Sequence, residues 1–156
     1  MKFDKLIHKR SSSLAVLVEP AKFDKGLIKL LKKTSASFIL VGGSKLKMNN
    51  LKETVQAIKK ITKIPIILFP GDESQLCKEA DGIFILSLLS GRDPEYLIGK
   101  QVSASQKIKE LKLKTFPVAY ILVDTGSKSQ TQKITGTKPL KSEKLILDTV
   151  LAAEQL

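Results

Sequence analysis

Aromatic residues and arginine are scarce in this sequence. Aromatic residues make up 5% of the chain, tryptophan is absent, and Arg10 and Arg92 are the only arginines. Proteins that grip nucleic acid usually rely on arginine forks and stacked aromatic rings, so we do not expect a nucleic-acid partner. The 27 basic residues exceed the 15 acidic ones and give a net charge of +12, which indicates a surface coated with lysine.

Cysteine and long hydrophobic runs are scarce as well. Cys77 is the single cysteine, which excludes a disulfide within the chain and is typical of a reducing compartment. No apolar run approaches the ~18 residues of a membrane span, and residues 1–10 are too charged for a secretory signal. We therefore expect a cytoplasmic protein, with peripheral membrane contact and a lipid substrate both still allowed.

Short apolar runs alternate with longer amphipathic segments along the chain, as in a parallel sheet packed against helices. The runs predict five strands and the segments between them predict five helices. The strands are residues 14–18, 37–41, 65–69, 82–86 and 116–123, and the helices are residues 24–33, 50–61, 72–80, 94–111 and 142–155. No linker divides the chain, so we expect residues 1–156 to form one domain.

Two further expectations concern the end of the chain. Ser142 is a predicted helix cap, and Leu145, Ile146, Thr149 and Val150 form the predicted buried face of the helix that follows. Residues 124–138 are rich in glycine, serine and threonine, and they predict one long loop. Loops of that length in a compact domain are commonly functional.

Five βα units fit two α/β architectures. They are enough for a complete doubly wound, flavodoxin-like sheet, and also for a (β/α)8 barrel that stops early. In both, ligands bind at the C-terminal ends of the strands. The residues there are polar and rich in glycine, which suits a hard cation and phosphate oxygens.

Three of these strand-end segments carry a family resemblance. Residues 41–44 read VGGS, residues 65–71 read PIILFPG, and residues 86–99 read LSLLSGRDPEYLIG. Their order and wording resemble the geranylgeranylglyceryl phosphate synthase family, including its bacterial heptaprenylglyceryl phosphate relatives. The resemblance implies a TIM barrel, truncated here after about five βα units and before the glycine-rich phosphate loops of the family.

The resemblance also implies an activity. Family members are prenyltransferases that join a polyprenyl (geranylgeranyl-type) diphosphate to sn-glycerol 1-phosphate with Mg²⁺, the first ether-bond step of ether-lipid biosynthesis. It implies a homodimer at full length. Because family members are longer, we expect this chain to be a fragment, a deliberately shortened protein or a degenerate gene product, with little activity alone. The prenyl length is not predicted.

The resemblance assigns two residues to the metal. Glu19 occupies the position where the family usually has an aspartate that binds magnesium, and Ala21 replaces the usual second acid. Ser44 matches the second metal position, a serine or threonine after two glycines. The alternatives are that Glu19 is a solvated acid at a strand end and that Ser44 caps a turn.

Other strand-end residues are candidates for substrate contact. Gly43, Pro70 and Gly71 shape turns that would leave room for the diphosphate or the prenyl chain, unless they simply end strands. Ser87 and Arg92 would line the same mouth, with Arg92 offering a fork to phosphate or instead pairing with a neighbouring acid.

Tyr120 and Asp124 are the candidate catalytic residues. By resemblance, Tyr120 contacts the substrate, and Asp124 orients the glycerol or accepts its proton. The alternative is that Tyr120 is an inward-facing barrel residue with a satisfied hydroxyl. A different class of function also stays open, namely a noncatalytic basic βα domain that binds anionic lipid or nucleic acid through its lysines.

Overall fold

A computed structural model of the protein describes residues 13–31, 36–43 and 48–156. The helices and strands in chain order are β1 (Leu14–Val18), α1 (Lys25–Leu31), β2 (Ala36–Gly43), α2 (Met48–Ile61), β3 (Ile66–Pro70), β4 (Gly82–Leu88), α3 (Lys100–Glu110), β5 (Thr115–Tyr120), α4 (Gln130–Thr135) and α5 (Glu143–Gln155). A 3-10 turn at Pro20–Lys22 follows β1, and a π-helical turn at Glu95–Gly99 runs directly into α3. The five predicted strands are confirmed. Within the described ranges, no helix has both the length and the apolar content needed to cross a bilayer.

The order of the strands decides between the two predicted architectures. All neighbouring pairs are parallel, and the order across the sheet is β1-β2-β3-β4-β5. A flavodoxin-like sheet reverses direction at a switch point and has the order 2-1-3-4-5. Sequential order is the winding of a (β/α)8 barrel, so the prediction of a TIM barrel truncated after about five units is confirmed.

The two faces of the sheet carry different apolar layers. One layer combines alternate strand residues such as Ile39, Leu68 and Ile83 with helix residues such as Val55 and Ile108. Among the described residues, the other layer contains strand residues alone: Phe38, Ile67, Phe84 and Phe116, flanked by Leu40, Phe69, Leu86 and Val118. Helices therefore cover one face, and the strand-only layer fills the inside of the partial barrel.

β3 and β4 separate towards their C-terminal ends. Their ladder contains two residue pairs, Ile67 with Gly82 and Leu68 with Ile83, whereas β2–β3 has five pairs and β4–β5 has six. Phe69 and Pro70 pair with β2 and not with β4. The wall of the partial barrel is consequently open between the ends of β3 and β4.

The helix predicted at residues 72–80 is wrong. Turns and bends occupy this segment, and Cys77 is buried there without being helical. The Asp72 carboxylate accepts a hydrogen bond from the Ser74 amide at 2.9 Å, and the Gln75 side chain accepts one from the Gly71 amide at 3.1 Å. Such local side-chain bonds to the backbone compete with helix formation.

The predicted loop at residues 124–138 contains a short helix that sequence reasoning missed, α4. Ser129 and Gln132 form a capping box at its start, and Gly136 ends it with a positive φ of 66°. β5 also ends earlier than predicted, at Tyr120, and Val123 forms only an isolated bridge with Leu140.

The predicted cap of α5 is confirmed, and its predicted buried face is buried only in part. Ser142 accepts a hydrogen bond from the Leu145 amide, as expected of a cap. Thr149 is buried and Ile146 is half-buried, whereas Leu145 and Val150 are exposed. A barrel helix packs between its own strand and the next one, and the described sheet contains no sixth strand to cover this face.

Candidate functional site

A cleft of about 400 Å³ lies at the C-terminal ends of the strands. It brings together five of the residues singled out in the sequence, which are Glu19, Gly43, Pro70, Gly71 and Tyr120. Ser87, Arg92 and Asp124 do not line it. Ser44, the second predicted metal ligand, lies outside the described residues. Strand-end positions converge because parallel strands end at the same edge of the sheet.

Glu19 lies between the end of β1 and the 3-10 turn that starts at Pro20. Its Oε2 atom is 3.0 Å from the Lys22 ammonium, in an exposed ion pair. No three acidic, histidine or cysteine side chains in the described ranges cluster in a way that could hold a metal. Magnesium is commonly held by one or two carboxylates together with waters and substrate phosphates, so the Glu19 carboxylate would be a sufficient protein ligand for that ion.

Gly43 and Gly71 are joined by a buried side chain that the sequence did not single out. The Gln75 amide nitrogen donates to the Gly43 carbonyl at 3.0 Å, and its oxygen accepts from the Gly71 amide at 3.1 Å. Gln75 is 3% exposed. Since these backbone groups already have partners, Gly43 and Gly71 contribute shape to the cleft more than hydrogen bonds.

Lys100 carries a positive charge into the wall of the cleft. Its ammonium lies 2.7 Å from a Glu73 oxygen, 3.5 Å from Glu95 and 3.8 Å from Asp72. The hydrogen bond that Lys100 donates to Glu73 is the main cause of the raised pKa of Lys100, while the hydrogen bond that the Ser74 amide donates to Asp72 is the main cause of the lowered pKa of Asp72. Through its ion pairs with Asp72 and Glu73, Lys100 holds the segment after β3 against the start of α3.

Ser87, which was predicted to contact substrate, does not line the cleft and bonds to the π-helical turn that borders it. Its hydroxyl donates to the Leu97 carbonyl at 3.1 Å, and that carbonyl also accepts from the side-chain amide nitrogen of Gln101 at 3.0 Å. The π-helical turn contributes to this arrangement, because its i→i+5 bonding displaces carbonyls from the regular ladder. The Gln101 oxygen is buried and has no partner among the described residues.

Arg92 does not reach the cleft in this structure. Its guanidinium donates to the carbonyls of Leu89 and Gly91, the second at 2.8 Å. The predicted phosphate fork is therefore folded back on the turn after β4. Its alternative partners, Asp93 and Glu95, are not paired with it within the described ranges.

Tyr120 lines the cleft and contacts α4. Its hydroxyl lies 3.2 Å from the Thr131 hydroxyl, and its ring meets Phe69 edge to face at 5.9 Å. Tyr96 reaches the same helix through the Ile134 carbonyl at 3.5 Å. α4 consequently forms one wall of the cleft, and Thr131 and Ile134 are functional candidates that the long-loop prediction concealed.

Asp124 lies beyond the end of β5 and does not line the cleft. Its carboxylate accepts from the Gly126 amide at 2.9 Å and pairs with Lys141 at 3.2 Å. The Gly126 bond first, and Lys141 second, lower the pKa of Asp124. A lowered pKa makes this carboxylate a weaker proton acceptor than an unpaired one.

The other half of the cleft is apolar. Leu76, Ile83, Ile85, Ala104 and Ile108 line it on the helix-covered face of the sheet. This region connects with the polar strand ends through the opening between β3 and β4. It exists because no helix follows β3, and the irregular segment 71–81 leaves space beside α3 that a regular βα unit would fill.

Sequence reasoning therefore missed Gln75, Lys100 and Gln101. One usable signal was present, since Gln101 lies four residues after Leu97 on a predicted helix and so shares its face. Gln75 gave no signal, because a glutamine among Asp, Glu and Ser in a predicted helix resembles any solvated position.

Comparisons with known proteins agree with this geometry. The PcrB family profile matches residues 10–156. The geranylgeranylglyceryl phosphate synthases of Zunongwangia profunda and Flavobacterium johnsoniae are 39% and 37% identical to this chain over 92% of its length. The alignments cover 63% and 61% of those proteins, so this chain spans about three fifths of the relatives it matches.

Solved structures show the same agreement. Wild-type GGGPS from Thermoplasma volcanium superposes with a TM-score of 0.87 at 30% identity, covering 98% of this chain and 63% of that one. The synthase of Thermoplasma acidophilum, solved with its substrate sn-glycerol-1-phosphate, gives 0.86 at 28%, covering 97% and 64%. The resemblance found in the sequence is thereby confirmed, and the chain belongs to the PcrB family.

Proposed function

We propose that this chain forms the prenyl-diphosphate half of a prenyltransferase that joins a polyprenyl (geranylgeranyl-type) diphosphate to sn-glycerol 1-phosphate with Mg²⁺. The observation that carries the proposal is the cleft itself, in which polar strand ends continue through a split in the barrel wall into an apolar channel. A prenyl diphosphate has the same division between a charged head and a long apolar tail.

The apolar channel suits the tail. Leu76, Ala104 and Ile108 border it, and each methylene transferred from water to such a surface contributes about 0.8 kcal/mol. A tail of many carbons would therefore supply much of the affinity. The channel runs away from the strand ends, which leaves the reacting carbon at the mouth.

The polar mouth suits the head group. Glu19 would hold the magnesium ion together with diphosphate oxygens, and Ser44 would add a hydroxyl ligand by resemblance. When bound, the ion would stabilise the charge that develops on the departing diphosphate. Gly43, Pro70 and Gly71 leave space for the group at the ends of β2 and β3.

The acceptor alcohol would approach from the side of Tyr120. The Tyr120 hydroxyl and Thr131 share a hydrogen bond on the wall of the cleft, and either oxygen can orient a glycerol hydroxyl. Asp124 stays a predicted proton acceptor for that alcohol. Sn-glycerol-1-phosphate is the substrate bound in the Thermoplasma acidophilum relative, and at full length we propose a homodimer, as in the family.

A transfer assay tests the activity. Labelled sn-glycerol 1-phosphate would be mixed with magnesium and geranylgeranyl or heptaprenyl diphosphate, using this chain alone and this chain fused to the C-terminal part of the Flavobacterium johnsoniae relative. We expect lipid-soluble label from the fused protein and little from the chain alone. No transfer by the fused protein with either prenyl length would contradict the proposal.

A binding measurement at two salt concentrations separates the noncatalytic alternative. A basic domain that binds anionic lipid or nucleic acid would lose affinity steeply as salt rises. Its affinity for anionic lipid or nucleic acid would be unchanged by Glu19→Ala. Binding to anionic vesicles or to DNA with both properties, and without any transfer, would favour that alternative.

A further inference from the structure

We propose that Gln75 is a positioning residue that holds the end of β3 towards β2 and thereby keeps the passage between β3 and β4 open for the prenyl chain. This inference rests on the proposed function. Gln75 touches the backbone at Gly43 and Gly71 and is almost completely buried. Its effect on substrate is therefore exerted through the two turns it joins.

The two hydrogen-bond partners of Gln75 lie at the ends of β2 and β3, so its bonds hold these two strands together. Gly43 is the last residue of β2, and Gly71 directly follows β3. The side chain spans 32 residues of sequence to join them, and it holds no part of β4. β3 consequently stays paired with β2 as far as Pro70, while its pairing with β4 stops at Leu68.

A glycine on β2 independently supports the same displacement. Gly42 is opposite Phe69, and a Cβ atom at Gly42 would overlap the Phe69 carbonyl oxygen. β3 therefore approaches β2 more closely than any other residue at position 42 would allow. A position of β3 close to β2 accounts both for the contact at Gly42 and for the separation of β3 from β4.

Lys100 holds the far side of the passage. It pairs with Glu73 on the segment after β3 and with Glu95 before α3, so that the segment spans the opening without filling it. If Gln75 released Gly71, the end of β3 would be free to move towards β4 and narrow the passage. The expected consequence is a loss of affinity for the tail of the substrate and much less for its head.

The test compares Gln75→Met, which keeps the length of the side chain without its hydrogen bonds, with the unchanged chain. Affinities for geranylgeranyl diphosphate and for inorganic pyrophosphate would be measured with magnesium by calorimetry. We expect the affinity for geranylgeranyl diphosphate, divided by the affinity for pyrophosphate, to fall about tenfold or more in Gln75→Met. Exchange of the Gly71 amide should accelerate about tenfold as its acceptor is lost.

Thr62→Val is the matched control. Thr62 is also buried, and its hydroxyl oxygen accepts the Ile64 amide at 3.2 Å just before β3, at the opposite end of the strand. We expect this variant to lose stability but to keep the affinity ratio. A merely structural role for Gln75 would lower both affinities together, as unfolding does, and would leave the ratio unchanged.

The outcomes separate the inference from the function on which it rests. An unchanged ratio in Gln75→Met, or an unchanged exchange rate of the Gly71 amide, would overturn the inference. If the unchanged chain bound geranylgeranyl diphosphate no better than pyrophosphate, the proposed function would fail and the inference with it. Gln75→Glu keeps an acceptor for the Gly71 amide but has no donor for the Gly43 carbonyl. We therefore expect its affinity ratio to lie between those of the unchanged chain and Gln75→Met.

Discussion

At the scale of single residues, Glu19 carries the proposed metal site on one carboxylate. Glu19→Gln removes the charge and keeps the shape, so affinity for geranylgeranyl diphosphate with magnesium should fall about tenfold to a hundredfold, as expected for a lost charged contact. Calorimetry with and without magnesium measures the change.

Glu53→Gln provides the control for that prediction. Glu53 is an exposed acid on α2 and lies outside the cleft, so its neutralisation changes the net charge by the same amount without touching the site. Equal affinities in the two variants would show that Glu19 acts only through general electrostatics and would remove it from the metal site.

Cys77 gives a second prediction at this scale. Burial, followed by a hydrogen bond to the Glu79 carboxylate at 3.1 Å, raises the pKa of the Cys77 thiol from 9.0 to about 11. The thiolate fraction at pH 8 is therefore about a hundredfold below that of an ordinary cysteine. We expect iodoacetamide to label the folded protein at least that much more slowly than the protein unfolded in urea.

The raised pKa of Cys77 also makes the stability of the fold depend on pH. Because the folded-state pKa is raised, the thiol contributes its full stability below pH 9.0 and loses it as the pH rises towards about 11. Glu79→Gln removes the second cause, so it should lower the pKa of Cys77 and speed labelling. Labelling of the folded protein at the unfolded rate would contradict the buried position of Cys77.

At the scale of elements, α4 is the helix that most affects the cleft, because it supplies Thr131 and Ile134 to the wall. The Ser129 hydroxyl accepts from the Gln132 amide at 3.2 Å, and the Gln132 side chain accepts from the Ser129 amide at 2.7 Å. Six residues form a marginal helix without such a cap.

Ser129→Ala should therefore destabilise α4 by about 1 kcal/mol, which is about a fivefold rise in local opening. Hydrogen exchange of the α4 amides measures it, and affinity for geranylgeranyl diphosphate should fall as well. Ser142→Ala removes the same type of cap from α5, which does not line the cleft. A fall in affinity with Ser142→Ala of the same size would contradict a specific role for α4.

The elements also show where sequence patterns stop being informative. The strands were predicted because each is a short, largely apolar run, and that pattern depends on local residues alone. The helix at 72–80 was predicted wrongly because Asp72 and Gln75 bond to backbone groups next to them and across the sheet, which no periodicity records. α4 was missed because polar residues such as Gln130 and Thr131 resemble a loop.

At the scale of the whole molecule, sequence spacing alone left a doubly wound sheet and a partial barrel equally open. The wording of three strand ends favoured the barrel, and the sequential strand order confirmed it. The passage between β3 and β4 could not be predicted, since it depends on pairing register and on the close approach at Gly42. The site is therefore predictable as a set of strand ends but not as a channel.

A crystal structure of this chain with magnesium and the unreactive thio analogue of geranylgeranyl diphosphate would test the proposed binding site directly. We expect the diphosphate to lie at the mouth beside Glu19 and Gly43, with the tail passing between β3 and β4 towards Ala104 and Ile108. A tail lying inside the partial barrel against Phe38 and Phe116, which do not line the cleft, or a diphosphate bound away from Glu19, would contradict this expectation.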